Sequence, residues 1–256
     1  MTKSELIAKD KCVVVPGEVL VEGMDYLPGF GTYRLGERIL ASRLGLVNID
    51  GRAIKIIPLS GRYLPKRNDV IIGRVIDVTL NGWRLDINSA YTAMLMIKDG
   101  TSDFVNKGAD LTQYYNLGDY IVCKIINVTT QKLVDVTMRG PGLKKLKNGR
   151  ILKVNPFKVP RIIGKQGSMV SMIKDATKCW IIVGQNGIIW LQGKPRDEVI
   201  AVQAIRMIEK EAHLPGLTDK IKQHLESFYG KQEQKETQKE IRSEQLKYEI
   251  GEEDDL

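Results

Sequence analysis

The chain has 256 residues, 43% of them hydrophobic, and a net charge of +8, which favours one to three domains and a polyanionic partner. Its three cysteines, Cys12, Cys123 and Cys179, show no CxxC spacing, which argues against a zinc ribbon and fits buried thiols in a reducing compartment. No stretch has the length or apolar character of a membrane span or a secretion signal, so we expect a soluble, cytoplasmic protein.

Residues 1–64 are predicted to form an all-β domain. The run VVVPGEVL is rich in β-branched residues and is broken by Pro16-Gly17, and the segment LPGFGTY is punctuated by glycines. Two further strand-like runs flank Asp50-Gly51, a dipeptide typical of a type I′ hairpin turn. Because this segment has few polar residues suited to chemistry, we expect the domain to pack against another surface.

Residues 65–140 are predicted to form a second β module. Two alternating runs meet at Asn81-Gly82, a third strand follows in AYTAMLMIKDG, and a long connection leads to two more strands. Five strands with a long connection between the third and the fourth are typical of an OB-fold barrel. The order of these features resembles the S1 RNA-binding domain, a member of that fold. The matching residues are 69–75, Gly82 with Leu85-Asp86, 118–122 and 136–139.

The resemblance to S1 domains also indicates a nucleic-acid face. At the two positions where family members often carry an aromatic residue and a histidine, this chain has Arg84, directly after Trp83, and Met96. We therefore expect a more electrostatic contact in place of the stacking platform typical of such folds. The residues expected on this face are Trp83, Arg84, Met96, Lys98 and Lys107, and a half-buried strand position is an equal alternative for Trp83.

Residues 147–212 are predicted to form an α/β domain of order β-α-α-β-β-α. The chain runs through strand GRILKV, helix PRIIG, helix SMVSMIKDA, strands CWIIVG and IIWLQG with a turn at Gln185-Asn186-Gly187, and a long helix. The motif IIGKQG, with two glycines three residues apart between the first two helices, resembles the type I KH domain in this context. The face of the long helix expected to pack on the sheet comprises Val199, Val202, Ile205 and Ile208.

The glycine motif suggests how this domain would meet RNA. Gly164 and Gly167 remove side chains where a backbone approaches a sugar-phosphate chain, as in the KH loop that clamps about four nucleotides. Gly167 opens a helix whose free N–H groups favour phosphate, although a plain turn between two helices is the alternative. The expected loop contacts are Arg161, Gly164, Lys165, Gln166, Gly167, Ser168 and Met169. The expected lining of an apolar groove is Ile162, Ile163, Ile173 and Ile182, and for each of these a place in the core is the alternative.

Residues 213–256 are predicted to form a helical and charged tail. The segment LTDKIKQHLESFY has the pattern of an amphipathic helix. Residues 231–256 carry five Lys/Arg and nine Asp/Glu, a net charge of −4, so the rest of the chain carries +12. We expect the tail to be partly disordered and the remaining body to be more basic than the total charge indicates.

The sequence shows no catalytic constellation. The only histidines, His213 and His224, fall in the C-terminal part and are expected on a solvated helix face. The basic body has no acidic cluster suited to two metal ions, and the chain has no Walker loop and no GxSxG motif. We therefore expect a chain without enzymatic activity, metal ion or cofactor.

The order of the three domains resembles the KH-bearing cap subunits of the archaeal and eukaryotic RNA exosome. The resemblance spans residues 12–212 and is most specific at Pro16-Gly17-Glu18, at residues 29–33 and at residues 164–169. Polynucleotide phosphorylase carries KH before S1 and behind two catalytic domains, and the sister cap subunit carries a zinc ribbon in place of KH. This chain has neither arrangement.

The resemblance implies a role for the whole chain. Three cap subunits sit on a hexameric ring of phosphorolytic subunits, and each docks through its N-terminal domain. The chain would be a non-catalytic subunit that captures single-stranded RNA and guides 3′ ends into the ring, and archaeal members are associated with a preference for A-rich tails. The residues themselves leave the RNA preference, the stoichiometry and the docking face open.

Two other functions also stay open. A free-standing RNA chaperone or translation-type RNA-binding protein could use the same modules without a docking surface, and a monomer with no ring partner would favour it. A metal-dependent RNase would need carboxylates that converge from distant parts of the chain, and Mg²⁺-dependent cleavage by the pure chain would favour it.

Overall fold

A computed structural model describes residues 5–101, 103, 106, 109–212 and 216–228. Over these residues two β-rich units are followed by a unit that combines a sheet with helices. None of the helices in these ranges is both long enough and apolar enough to span a bilayer. The predicted fold class, mainly β with a five-stranded barrel followed by an α/β domain of KH order, is confirmed.

The N-terminal unit consists of two four-stranded sheets, of order β1-β3-β6-β5 and β2-β7-β8-β4. The hairpin predicted at Asp50-Gly51 joins β7 and β8, where Asp50 pairs with Ala53. Side chains from both sheets, among them Val21 and Ile54, form one buried core. The strands are β1 (Glu5–Leu6), β2 (Val13–Val14), β3 (Val19–Glu22), β4 (Leu27–Pro28), β5 (Thr32–Leu35), β6 (Arg38–Ala41), β7 (Gly45–Asp50) and β8 (Ala53–Pro58).

The second unit is a closed five-stranded barrel. Its strands are β9 (Val70–Thr79), β10 (Gly82–Asp86), β11 (Thr92–Met96), β12 (Tyr120–Val128) and β13 (Val134–Thr137), and helix α1 (Ile97–Gly100) follows β11. The sheet order is β13-β11-β10-β9-β12, and antiparallel pairing of β12 with β13 closes the barrel. The predicted hairpin at Asn81-Gly82 joins β9 and β10.

The third unit has the predicted order β-α-α-β-β-α. Strand β14 (Lys145–Leu146) pairs with β12 of the barrel and leads from the barrel into the third unit. Its elements are β15 (Arg150–Lys153), α2 (Val159–Ile163), α3 (Ser168–Thr177), β16 (Trp180–Val183), β17 (Ile188–Gln192) and α4 (Pro195–Glu211). The antiparallel sheet has the order β15-β17-β16, and side chains of α2, α3 and α4 share a buried core with one of its faces.

The buried face of α4 differs from the predicted one. Val199 is 42% exposed and Val202 is half-buried, whereas Ile205 and Ile208 are fully buried. Each step of three residues falls short of a full helical turn by roughly 60°. The three steps from residue 199 to residue 208 therefore add up to about 180°, which puts these two residues on opposite sides of the helix. The face that packs on the core instead comprises Ile200, Ala201, Ala204, Ile205 and Ile208.

Residues 217–228, predicted as part of the tail, form a further helix, α5. Leu217, Ile221 and Leu225 are buried in the same core as α2, α3 and α4, so α5 belongs to the third unit. His224 does not lie on a solvated face as predicted, because its Nε2 is buried and its ring packs edge-on against Phe228 at 4.9 Å. His213 and residues 229–256 of the predicted tail fall outside the described residues.

The predicted turn at residues 185–187 joins the third unit to the barrel. The side chain of Asn186, which is fully buried, donates to the carbonyl oxygens of Ile72 at 2.8 Å and Ile87 at 2.9 Å, and accepts from the Ile72 N–H at 3.3 Å. Gln185 makes two further bonds of 2.9 Å with the backbone of Val70. An apolar cluster beside the turn holds the same two units together and comprises Ile72, Val122, Leu146, Ile188 and Trp190.

Candidate nucleic-acid interface

The loop between α2 and α3 uses its two glycines for different reasons. Gly164 has a φ of 76°, and a Cβ at this position would lie only 2.7 Å from the backbone nitrogen of Met169. Gly167 has a φ of 81°, directly before α3, and a Cβ there would meet nothing within 4 Å. The first glycine therefore lets the loop fold back on itself, whereas the second leaves open space in front of the helix.

This loop brings four of the predicted contact residues to the surface. Arg161, Lys165, Gln166 and Ser168 are exposed, and Gln166 has a left-handed φ of 53°. No side chain caps α3, and the backbone N–H of its first residue, Ser168, donates to the carbonyl oxygen of Lys165. The positive end of the helix dipole at this position favours an anion. The loop therefore joins Arg161 at the end of α2 and its own Lys165 to a helix start without a side-chain cap, which is an arrangement suited to phosphate. That these residues contact RNA stays a prediction.

Three predicted contacts lie instead in the core. Ile162 and Ile173 are fully buried and Met169 is 4% exposed, and all three pack with the sheet and α4. The core alternative is therefore correct for both isoleucines. The side chain of Met169 faces inward, so that only its backbone is left as a loop contact, which stays a prediction. Ile163 is half-buried against the same core.

Ile182 is also placed differently from the expectation. Along β16, Ile181 and Val183 pack towards the helices, whereas Ile182 packs with the apolar cluster between the sheet and the barrel. Successive residues of a strand point to opposite faces, so Ile182 points away from α2 and α3. It cannot line a groove beside the glycine loop.

The aromatic residue predicted on the RNA-facing side of the barrel, Trp83, lies inside the barrel. Trp83 is fully buried, its Nε1 donates to the carbonyl oxygen of Tyr115 at 3.0 Å, and the rings of these two residues pack edge-on at 4.9 Å. Trp83 is therefore wrong as an RNA-facing residue, because it fills the barrel interior. Arg84 points outward, 3.7 Å from Asp77, and Met96 is 42% exposed.

The remaining residues predicted on this face stay predictions. Lys98 is exposed in α1, directly after β11, whereas Lys107 lies outside the described residues. With Arg84 and Met96, Lys98 gives this side of the barrel two cations and one apolar side chain at the surface. That such a surface acts on RNA mainly through charge stays a prediction.

The cysteines have the character of buried thiols. All three are free, Cys123 and Cys179 are buried, and Cys12 is half-buried. Burial raises the pKa of the Cys123 thiol from 9.0 to about 12 and also raises that of Cys179, so neither is a ready nucleophile near pH 7. Within the described ranges, no three His, Cys, Asp or Glu residues are grouped so that they could hold a metal ion.

Comparison with known families gives the same domain order. Residues 11–60 match the model of the exosome RNA binding protein RRP4 N-terminal domain, residues 62–104 match the RRP4 S1 domain, and residues 149–210 match the KH domain. The matches follow one another without overlap and together span most of the chain.

This chain aligns with curated relatives over most of their length. The exosome complex component Rrp4 of Methanothermus fervidus is 42% identical over 221 residues, which are 86% of this chain and 97% of that protein. The Rrp4 of Methanothermobacter thermautotrophicus is 40% identical over 88% of this chain and 71% of its own length. A crystal structure provisionally described as an exosome complex RNA-binding protein has a TM-score of 0.60 and 36% identity, over 65% of this chain and 97% of that chain. The chain therefore belongs to the Rrp4 family of exosome complex components.

Proposed function

We propose that this chain is a non-catalytic RNA-binding cap subunit of an exosome. In this role it captures single-stranded RNA and guides 3′ ends into a phosphorolytic ring for 3′-to-5′ degradation, with a preference for A-rich tails. The observation that carries the proposal is the exposed loop at residues 164–167, which presents the uncapped start of α3 in a chain of the Rrp4 family. The names of the relatives, exosome complex components, support the assembly.

The surface of the N-terminal unit supports docking through this part of the chain. Among the described residues, most of the exposed large hydrophobic side chains lie before residue 60. Single exposed apolar residues are normal, but a concentration of them in one small unit is typical of an interaction surface. The most exposed of them are Val13, Val15, Met24, Leu27, Leu35, Ile57 and Ile7.

The arrangement of contacts suits a subunit that must let RNA move. Phosphate contacts from the loop and charge on the barrel face position a strand while leaving it able to slide. Three such subunits around one entrance would act on the same strand, so weak individual sites would gain through effective concentration.

The test is an incubation with and without the ring. Pure chain is mixed with end-labelled single-stranded RNA, Mg²⁺ and phosphate, and RNA length is read on a denaturing gel while binding is read on a native gel. We expect bound but intact RNA, and faster shortening from the 3′ end when cognate ring subunits form a complex with the chain than with the ring alone. RNA with a 3′ A-rich tail should gain more than the same RNA without the tail.

Two results would contradict the proposal. Shortening of RNA by the pure chain, unchanged by further purification, would favour the metal-dependent RNase. RNA binding with no stable association with the ring subunits would favour the free-standing RNA-binding protein.

A further inference from the structure

Trp180 is a large apolar side chain on the surface of the third unit. It begins β16, an edge strand of the sheet, and 65% of its surface is exposed, whereas Trp83 is fully buried and Trp190 is 4% exposed. The run CWIIVG predicts the strand, but it does not indicate that Trp180 is exposed while its neighbours are more buried. Packing explains the other two tryptophans, so the exposure of Trp180 requires a different explanation.

Lysines surround this ring. Trp180 lines two adjoining depressions, one of about 400 Å³ and one of about 620 Å³. The Nζ of Lys144 lies 5.2 Å from the centroid of the ring, a cation–π distance. Four lysines and one carboxylate line the two depressions: Lys144, Lys174, Lys178, Lys194 and Asp197.

This cluster is separate from the glycine loop. The loop precedes the first residue of α3, whereas Trp180 follows the last. A helix of ten residues is roughly 15 Å long, so the two surfaces lie at opposite ends of α3. Lys174 lies in the last turn of the helix and Lys178 directly after it, which carries positive charge from α3 towards the ring.

We propose that Trp180 and its lysines form a second contact for single-stranded RNA, in which a base stacks on the indole and the lysines hold the flanking phosphates. The proposal rests on the proposed function, because it assumes that RNA is the ligand of this chain. An aromatic face within a cationic surface is the arrangement by which proteins bind single strands without reading their sequence.

The origin of the lysines favours RNA over a peptide. A peptide could add to the open edge of β16, and it would then run along the whole strand. The lysines, however, come from the segment before β14, from the end of α3 and from the residue before α4, and they gather at the first residue of β16. Charge concentrated at one end of the strand suits a polyanion that crosses this end.

The test uses the full chain and substitutions of one exposed side chain. Trp180→Leu keeps an apolar residue but removes the stacking ring, and Trp180→Phe keeps a ring. With a labelled 20-nucleotide single-stranded RNA of mixed sequence, we expect Trp180→Leu to weaken binding roughly tenfold, as for the loss of one stacked base, and Trp180→Phe to stay within about threefold of the wild type. Val199→Ala, another exposed apolar residue of this unit, is the matched control and should bind as the wild type does.

Tryptophan fluorescence gives a second readout. Because the other two tryptophans are buried, quenching by acrylamide reports mainly on Trp180. RNA should protect this residue from acrylamide, and Lys178→Gln with Lys194→Gln should require more RNA for the same protection. In Trp180→Phe the protection should disappear while binding persists.

The outcomes separate the two proposals. If the wild type binds RNA but Trp180→Leu binds equally well and RNA gives Trp180 no protection, this inference is overturned and the proposed function stands. Equal losses in the Leu and Phe variants with a lowered melting temperature would also overturn it, because they would show a structural effect. If the wild type binds no RNA, the proposed function itself fails.

Discussion

At the scale of single residues, the two glycines of the loop at 164–167 meet different geometric requirements. Gly164 lets the backbone turn tightly under Met169, and Gly167 leaves room in front of α3. Lys165 and Gln166 stand between them, exposed and without a role in the core. The side chains of Lys165 and Gln166 can therefore be changed with little effect on packing. A change in RNA binding by such variants would then report on contact and not on folding.

Charge reversal in the loop should weaken RNA binding without unfolding the protein. Lys165→Asp with Gln166→Asp is expected to weaken binding tenfold or more, because a carboxylate about 4 Å from a phosphate repels it by about 1 kcal/mol even in water. The melting temperature should not fall, because acidic residues are favourable near a helix N-terminus. Fluorescence anisotropy with single-stranded RNA and a thermal melt would measure both effects.

A control of the same composition lies in the exposed turn between β12 and β13. Gln131→Asp with Lys132→Asp makes the same change of charge on two exposed residues, at a position not predicted to contact RNA. It should affect binding much less. Equal losses in both variants would show that only net charge matters, and undiminished binding in the loop variant would exclude the loop as a major contact.

At the scale of elements, the turn at 185–187 is the joint between sheet and barrel. Asn186 satisfies three backbone groups of the barrel, and the backbone oxygen of Asn186 accepts from the side chain of Asn88 at 2.9 Å. Buried amide bonds of this kind fix an orientation as well as adding stability. The candidate RNA surfaces, one on the barrel and two on the third unit, are therefore held in one arrangement.

Removing this joint should separate the unfolding of the two units. Asn186→Ala leaves buried groups of Ile72 and Ile87 without partners, and we expect a loss of about 3 kcal/mol. Denaturant unfolding followed by circular dichroism should show a lower midpoint and a broader or biphasic transition. Gln185→Ala, an exposed neighbour with one side-chain bond to the barrel, should cost less than about 1 kcal/mol. Equal stability of Asn186→Ala and the wild type would show that the apolar cluster alone makes the joint.

Helix α5 gives a second prediction at this scale. A chain that ends after residue 228 keeps the helix and should melt as the full chain does. A chain that ends after residue 212 exposes core that Leu217, Ile221 and Leu225 cover, and we expect a loss of roughly 5 kcal/mol, because each buried leucine or isoleucine contributes about 1.5–3 kcal/mol. Thermal melts of the two chains test this, and equal melting would show that α5 is not part of the folded unit.

At the scale of the whole molecule, positive charge accompanies every candidate contact. The loop, the face of the barrel and the surface at Trp180 each present lysine or arginine, and residues 1–230 together carry +12. A strand that touches several of these surfaces would neutralise several phosphates at once. Affinity would then depend strongly on the length of the RNA and on the salt concentration.

The salt dependence of binding should count these contacts. For single strands, log K falls against log salt with a slope of about −0.7 for each phosphate neutralised. We expect a steep slope for the wild type with a long RNA, and a shallower one for Lys178→Gln with Lys194→Gln. Titrations between about 50 and 300 mM KCl would measure both slopes, and a flat response in the wild type would argue against an electrostatic path.

The sequence by itself determined the order and type of the elements in the barrel and the third unit. The hairpins at Asp50-Gly51 and Asn81-Gly82 and the glycine motif before α3 are local signals, since each depends on residues within one turn. The spacing of apolar residues, every second residue in strands and every three to four in helices, is also a local signal. Turns and helix starts that depend on a few neighbouring residues could therefore be located before the fold was known.

Only the tertiary structure decided which side chains are free to act. Trp83 and Trp180 both belong to strands, but one fills the barrel and the other lies at an open edge beside lysines from three segments. Asn186 occupies a turn in the sequence and a buried joint in the fold. The physical reason is that the exposure of a side chain and the contacts between units depend on how segments distant in the chain pack together. A pattern of neighbouring residues does not contain that information.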